Sequence, residues 1–136
     1  MTDKQKRSPM KPVSESARQW GEALRAELEQ WPAVRVQRSF GMTLVYRGDT
    51  VFAALPATRA LYAEDAIMLK FQEETPALAR RMEAGGHFVA ATIASSRKAK
   101  SEGRKWRFFV LRGDADVHAA IEWLGEAYRL ARKPKR

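Results

Sequence analysis

The residue types that most often do chemistry form no catalytic set in this 136-residue chain. Cysteine is absent, which excludes thiol catalysis, thiolate metal sites and disulfides. The two histidines, His87 and His118, fall on different predicted elements, and no carboxylate spacing near either indicates a metal site. Ser95 and Ser96 belong to a predicted loop, not to the sharp turn that exposes a nucleophilic serine. We therefore predict no catalytic residue, no metal and no cofactor, and a protein that is not an enzyme.

The positive charge is the one feature that indicates a partner. The formal net charge is +9, and three basic segments, residues 1–13, 97–105 and 132–136, carry +3, +4 and +4. The remaining residues, here called the folded body, therefore carry −2. Flexible basic arms neutralise phosphates without reading sequence, but basic tails also serve solubility alone. The charge leaves both interpretations open.

The candidate nucleic-acid contacts are the cations of the 97–105 segment and the first cation of the strand that follows. From Arg104 to Phe109 basic and aromatic residues are interleaved, as in some RNA-binding sheets that stack bases. The glycine spacing of the RRM signature is missing, so packing of these aromatic side chains in the core is the favoured interpretation. The residues assigned to this site are Arg97, Lys98, Lys100, Arg104, Lys105 and Arg107.

The elements that must position these residues follow from hydrophobic periodicity and capping. Apolar spacings of three and four predict three helices, at residues 14–31, 75–84 and 114–131, with Ser14, Thr75 and Asp114 as N-caps. Strands are predicted at Val34–Arg38, on both sides of the Gly48-Asp49 turn within Ser39–Leu55, and at Ile67–Phe71, His87–Ile93 and Trp106–Leu111. Because the strands come in runs joined by short links, we predict an α+β fold. Its antiparallel sheet has about five strands with flanking helices, in the order α-β-β-β-β-α-β-β-α.

The chain is expected to form one α+β domain over residues 14–131. Residues 1–13 predict a disordered basic arm, residues 94–105 a mobile basic loop and residues 132–136 a basic tail. No apolar run approaches the roughly 20 residues that span a bilayer, and no signal-peptide core follows the basic N-terminus. We therefore predict a soluble cytoplasmic protein without a membrane partner.

The hairpin within Ser39–Leu55 places apolar residues on both faces of the predicted sheet. Its expected cross-strand pairs are Tyr46–Val51, Leu44–Ala53 and Met42–Leu55. Because the second face lacks the polar residues that an antiparallel sheet usually turns to water, we expect either helices on both sides or a partner on one side. The residues assigned to this candidate interaction face are Val45, Phe52, Met68 and Phe109.

Three motifs along the central strands resemble those of a known family. They are Phe40-Gly41-Met42, then Tyr46-x-Gly48-x-x-Val51-Phe52-Ala53, and then Ile67-Met68-Leu69-Lys70. Over residues 31–93 the chain resembles the TfoX N-terminal-domain family and its structural relatives, the MmcQ/YjbR-like proteins. The resemblance implies a small α+β domain with an antiparallel sheet and flanking helices, and it brings no catalytic residues.

The resemblance implies less about function than about fold. TfoX proteins are tied to natural competence, and YjbR-like proteins have been suggested to bind DNA. The chain differs from the family in its basic segments, and a second, C-terminal TfoX-type domain is not expected in it. The resemblance therefore does not imply a competence role.

Two functions are compatible with the sequence. The leading one is a non-enzymatic binding domain whose basic arms and 97–105 segment bind nucleic acid weakly and without sequence preference. The alternative is a protein-interaction or self-associating module, such as a homodimer, that uses the apolar sheet face. An enzyme with a small pocket between helix and sheet is a third interpretation, for which the sequence offers no nucleophile, base or metal set.

Overall fold

The computed structural model of the protein describes residues 11–12, 14–39, 41–60, 66–93 and 106–131. The helices are α1 (Glu15–Leu28), α2 (Pro76–Gly85) and α3 (Asp116–Leu130). The main strands are β1 (Val34–Ser39), β2 (Met42–Arg47), β3 (Thr50–Pro56), β4 (Ala66–Lys70), β5 (Phe88–Ile93) and β6 (Trp106–Val110). The order along the chain is α1-β1-β2-β3-β4-α2-β5-β6-α3, which confirms the predicted α+β class and order.

The main strands form one antiparallel sheet of six strands, where the sequence predicted about five. Neighbouring strands follow the order β1-β2-β3-β4-β6-β5, so β1 and β5 are its edges among the described strands. Helix α2 comes between β4 and β5 along the chain, and β6 separates these two strands in the sheet. The last strand of the chain therefore lies inside the sheet, beside the edge strand β5.

Capping residues explain where α1 and α2 begin. The Ser14 hydroxyl accepts a hydrogen bond from the Ala17 amide at 3.1 Å, and the Thr75 hydroxyl accepts one from the Leu78 amide at 3.1 Å. Both predicted N-caps are thus confirmed. Gly86 ends α2 with a φ of 78°, a conformation that glycine adopts without steric cost.

The predicted N-cap of α3 is wrong. The N-cap residue of this helix is Ala115, and no side chain caps it by a hydrogen bond within the described chain. The carboxylate of Asp114 accepts a hydrogen bond from the indole Nε1 of Trp20 at 2.8 Å instead. The Asp114 side chain therefore joins α1 to the segment before α3.

The β2–β3 hairpin turns at Gly48-Asp49, as predicted, with Gly48 at a φ of 62°. The observed cross-strand pairs are Tyr46–Val51, Leu44–Ala54 and Met42–Pro56. The first predicted pair is therefore confirmed, and the other two are wrong by one residue of β3.

A bulge in β3 explains this shift. The register changes between Val45 and Tyr46 of β2, which makes Phe52 the extra residue of β3. Phe52 and Ala53 consequently both lie in the apolar cluster beneath the helices, although alternation would place neighbours on opposite faces. The bulge buries one additional large side chain in the core.

All three helices contribute to one apolar cluster on the same face of the sheet. Its helical members are Leu24, Leu28, Leu78, Met82, Ala120, Leu124 and Ala127. Gly21 lets α1 approach the sheet closely, because a Cβ here would overlap with the Pro56 carbonyl oxygen of β3. The helix-covered face is therefore the main core of the protein.

The opposite face of the sheet carries a second apolar cluster. Its buried members are Met42, Ala54, Ala66, Met68, Trp106 and Phe108. None of these residues belongs to a described helix. Within the described part of the chain, helices therefore cover one face of the sheet and not both.

Part of the predicted N-terminal arm belongs to the fold. Lys11–Pro12 pairs with Arg59–Ala60, the short segment that follows β3, as a two-residue antiparallel bridge. The prediction of a disordered arm is therefore wrong for these two residues, because their backbone is paired with another strand. The rest of that arm, the predicted loop at residues 94–105 and the tail at 132–136 lie outside the described residues.

Candidate functional site

Arg107 is the residue of the predicted nucleic-acid site that lies within the described chain, and it is held in an ion pair. Its Nε and Nη2 donate to the Glu74 carboxylate at 2.9 and 2.5 Å. The side chains of Arg107 and Glu74 are 20% and 11% exposed. Hydrogen bonding to Glu74 raises the pKa of Arg107. Glu74 thus balances the charge of Arg107, and the assignment of Arg107 to the nucleic-acid site stays a prediction.

The other predicted nucleic-acid contacts belong to a part of the chain without described geometry. They are Arg97, Lys98, Lys100, Arg104 and Lys105, and all of them lie outside the described residues. Their role therefore stays a prediction from sequence and charge.

Exposed arginines of α1 and α3 are paired with carboxylates of the same helix. Positions three or four residues apart are neighbours on a helix surface, which brings the charges together. The pairs are Arg18–Glu15, Arg25–Glu22, Arg25–Glu29 and Arg129–Glu126, with N–O distances of 2.7 to 3.2 Å. Hydrogen bonds from Arg18, Arg25 and Arg129 lower the pKa values of Glu15, Glu22 and Glu126, respectively. These helix surfaces are therefore close to neutral.

Other arginines of the folded body lie over aromatic rings. The pairs are Arg35–Tyr46 and Arg47–Tyr128, each 4.3 Å from guanidinium to ring centroid, and Arg81–Trp123 at 5.0 Å. Arg47 also donates to the main-chain carbonyl of Tyr128 at 2.9 Å, in the last turn of α3, where a cation suits the helix dipole. These arginines therefore link elements of the body to one another.

The tryptophans pack in the core or at its rim, as predicted. Trp106 is buried in the cluster opposite the helices, and Trp123 meets Phe88 edge-on with ring centroids 5.0 Å apart. Trp20 and Trp31 donate their indole N–H groups to carboxylates at 2.8 and 3.2 Å. Each tryptophan thus has an internal partner, which favours packing over base stacking.

The candidate interaction face is not one surface. Val45, Phe52 and Phe109 are fully buried in the helix-covered cluster, whereas Met68 belongs to the opposite cluster and is 4% exposed. Alternation along β4 separates Met68 from the others, because Ile67 and not Met68 points toward the helices. This corrects the prediction of one docking surface made of these four residues, because three of them are core residues under helices.

The two histidines occupy different environments. The His87 ring stacks on Phe109 at 4.7 Å, its Nε2 lies 3.9 Å from Asp116, and its buried Nδ1 has no hydrogen-bond partner among the described residues. His118 is on the surface, 3.4 Å from Glu122. Across the described ranges, no three acidic or histidine side chains come close enough together to hold a metal ion.

A groove of about 380 Å³ lies between α2 and the strands β5 and β6. Its described lining residues are Ala79, Met82, Glu83, Phe88, Val89 and Arg107. Sequence reasoning missed this groove, because the Glu74–Arg107 pair beside it joins residues 33 positions apart and no local pattern links them. The groove combines apolar walls with a fixed charge among its described lining residues.

The chain was compared with models of protein families, with curated proteins and with solved structures, and nothing matched. Among the described helices, none has the length and apolar character needed to cross a bilayer. Function is therefore inferred from charge and geometry alone.

Proposed function

We propose that the protein is a non-enzymatic, cytoplasmic nucleic-acid-binding domain that contacts phosphates through its basic segments without reading sequence. The observation that carries this proposal is the location of the charge. The net charge is +9, yet the folded body carries −2, so the basic segments hold the entire positive excess. Lysine and arginine in such segments bind phosphates by releasing counterions.

The folded body serves as a scaffold in this proposal. Most of its described arginines are engaged by carboxylates, as Arg107 is by Glu74, or by aromatic rings, as Arg47 is by Tyr128. A carboxylate partner balances the charge of its arginine, so such an arginine adds little to the attraction of phosphates. Affinity should therefore depend on the cations of the basic segments more than on the total charge.

We also propose that the chain is a member of the TfoX N-terminal and MmcQ/YjbR-like group. The described elements form an α+β domain with an antiparallel sheet and flanking helices, which is the architecture that the resemblance implies, and this agreement supports the proposal. The suggested DNA binding of YjbR-like proteins agrees with the proposed partner. The competence role of TfoX proteins is not part of the proposal.

The test is a fluorescence-anisotropy titration of labelled duplex and single-stranded oligonucleotides at low salt. One variant carries glutamine at the five cations of the 97–105 segment, namely Arg97, Lys98, Lys100, Arg104 and Lys105. We expect affinity to fall on the order of 10- to 100-fold, because five phosphate contacts are removed.

A second variant is the matched control. It carries glutamine at five exposed arginines of the folded body that have a carboxylate or aromatic partner, namely Arg18, Arg25, Arg35, Arg81 and Arg129, and so lowers the net charge by the same amount. We expect its affinity to stay within about threefold of the unmodified protein. Equal losses in the two variants would contradict the proposal, because affinity would then follow total charge. Absence of binding by the unmodified protein would also contradict it.

A further inference from the structure

The groove beside α2 exists because the edge strand β5 is irregular. Phe88 pairs with Phe109 and Thr92 pairs with Arg107, so four steps along β5 correspond to two steps along β6. The extra residues bend β5 away from its neighbour and leave space beneath α2. The resulting volume of about 380 Å³ is within the range of small-molecule sites.

The described lining of the groove divides into apolar walls and two charged groups. Ala79 and Met82 of α2 and Phe88 of β5 form the apolar walls, Val89 packs against the cluster on the opposite sheet face, and the charged groups are those of Glu83 and Arg107. Met82 is buried and Phe88 half-buried, so the walls are fixed by packing in the core. An apolar side chain of a ligand would replace water on these walls.

Arg107 is held in a fixed orientation at the groove. Glu74 accepts hydrogen bonds from its Nε and Nη2, and within the described chain its Nη1 makes no hydrogen bond. Because Glu74 holds the guanidinium from one side, the remaining N–H groups have a fixed orientation and can donate to an acceptor. Glu74 therefore acts as a positioning residue and Arg107 as the donor.

The charges of the groove select the class of ligand. Among the described residues at the groove, Glu74 balances Arg107, so the exposed carboxylate of Glu83 gives this described set a net negative charge. The carboxylate of Glu83 would repel a simple anion. A simple cation would leave Nη1 of Arg107 without a hydrogen-bond acceptor. A zwitterion satisfies both groups, because its ammonium pairs with one side chain and its carboxylate accepts from the other.

We propose that this groove binds a small zwitterion with an apolar side chain, that is, an aliphatic or aromatic α-amino acid. The ligand carboxylate accepts from Nη1 of Arg107, the ammonium pairs with Glu83, and the side chain packs against Ala79, Met82 and Phe88. This site is separate from the basic segments and does not depend on nucleic-acid binding.

Isothermal titration of the full-length protein with matched probes tests the proposal. The probes are L-leucine, L-phenylalanine, N-acetyl-L-leucine, which lacks the ammonium, and L-leucinamide, which lacks the carboxylate. We expect both amino acids to bind and each modified probe to bind at least about tenfold more weakly, a loss typical of one charge-assisted hydrogen bond. Failure of both amino acids to bind would overturn the proposal, and so would equal binding of L-leucine and either modified probe.

Variants of α2 distinguish the groove from other binding surfaces. Glu83→Gln should weaken L-leucine about tenfold, because the ammonium loses its partner. The same variant should not weaken N-acetyl-L-leucine, because this probe has no ammonium and its carboxylate is no longer repelled by residue 83. Ala79→Phe should abolish binding by filling the groove. Arg80→Gln changes an exposed neighbour outside the described lining and should have no effect. An unchanged affinity of Glu83→Gln for L-leucine would overturn the proposal even if Ala79→Phe failed to fold.

Nucleic-acid affinity of Glu83→Gln should match that of the unmodified protein, so the two proposed functions can fail separately.

Discussion

The folded body and the basic segments use arginine and lysine in different ways. In the body, carboxylates and aromatic rings hold most of the described arginines, so the charge contributes to the structure of one helix or links two elements. The sequences of the basic segments contain thirteen lysines and arginines and two acidic residues, Asp3 and Glu102. The number of cations in a region therefore does not identify a phosphate-binding surface. The attraction of phosphates depends on how many of those cations lack an internal partner.

The largest expected effect comes from disrupting the body while leaving the segments intact. Gly21→Ala places a Cβ against the Pro56 carbonyl, so α1 must shift from the sheet. We expect a loss of about 3 kcal/mol in the free energy of unfolding, measured in urea, while nucleic-acid affinity changes little. Gly85→Ala is the control, because a Cβ there meets open space, and its stability should stay within about 1 kcal/mol. A large loss of nucleic-acid affinity in Gly21→Ala would show that the body contributes directly to binding.

The next effect comes from converting a compensated cation into a free one. Glu74→Gln leaves Arg107 half-buried without its carboxylate, and we expect a loss of about 2 kcal/mol in the free energy of unfolding. Because Arg107 lies two residues after the 97–105 segment, the released guanidinium should add one phosphate contact. The slope of log K against log salt should steepen by about 0.9. A slope equal to that of the unmodified protein would contradict the idea that internal pairing keeps Arg107 from phosphates.

The smallest expected effect concerns the pH dependence of the helix ion pairs. The pKa of Glu126 is lowered chiefly by its hydrogen bond with Arg129, so the pair stabilises the folded state above the unfolded pKa of about 4.3. This contribution is lost as the pH falls through the lower folded pKa. Because Arg129 is largely exposed, it amounts to less than about 1 kcal/mol. Arg129→Gln should reduce the difference in urea stability between pH 7 and pH 3 by that amount, and a larger difference in the variant would contradict the account.

Local patterns predicted the features of the fold that depend on neighbouring residues. Helix starts at Ser14 and Thr75 and the hairpin turn at Gly48 each rest on residues a few positions apart, and all three are confirmed. The bulge at Phe52 could not be predicted in this way, because Val51 to Leu55 is continuously apolar and no polar residue marks which side faces water.

The candidate site depends on contacts that are distant along the chain. Asp114 was predicted to cap α3, but its carboxylate bonds Trp20, a residue 94 positions away. The Glu74–Arg107 pair and the shifted register of β5 likewise appear only when the strands are assembled. Sequence therefore located the charge excess, and the three-dimensional structure identified which arginine is already paired.

The most direct test of the central claim is the salt dependence of nucleic-acid binding, measured as the slope of log K against log salt on a labelled duplex. The account predicts a steep negative slope for the unmodified protein. Glutamine at the five cations of the 97–105 segment should reduce that slope by up to about 4.5, and glutamine at five exposed arginines of the body should leave it nearly unchanged. A flat slope for the unmodified protein, or an equal reduction in both variants, would contradict the claim that the basic segments carry the binding charge.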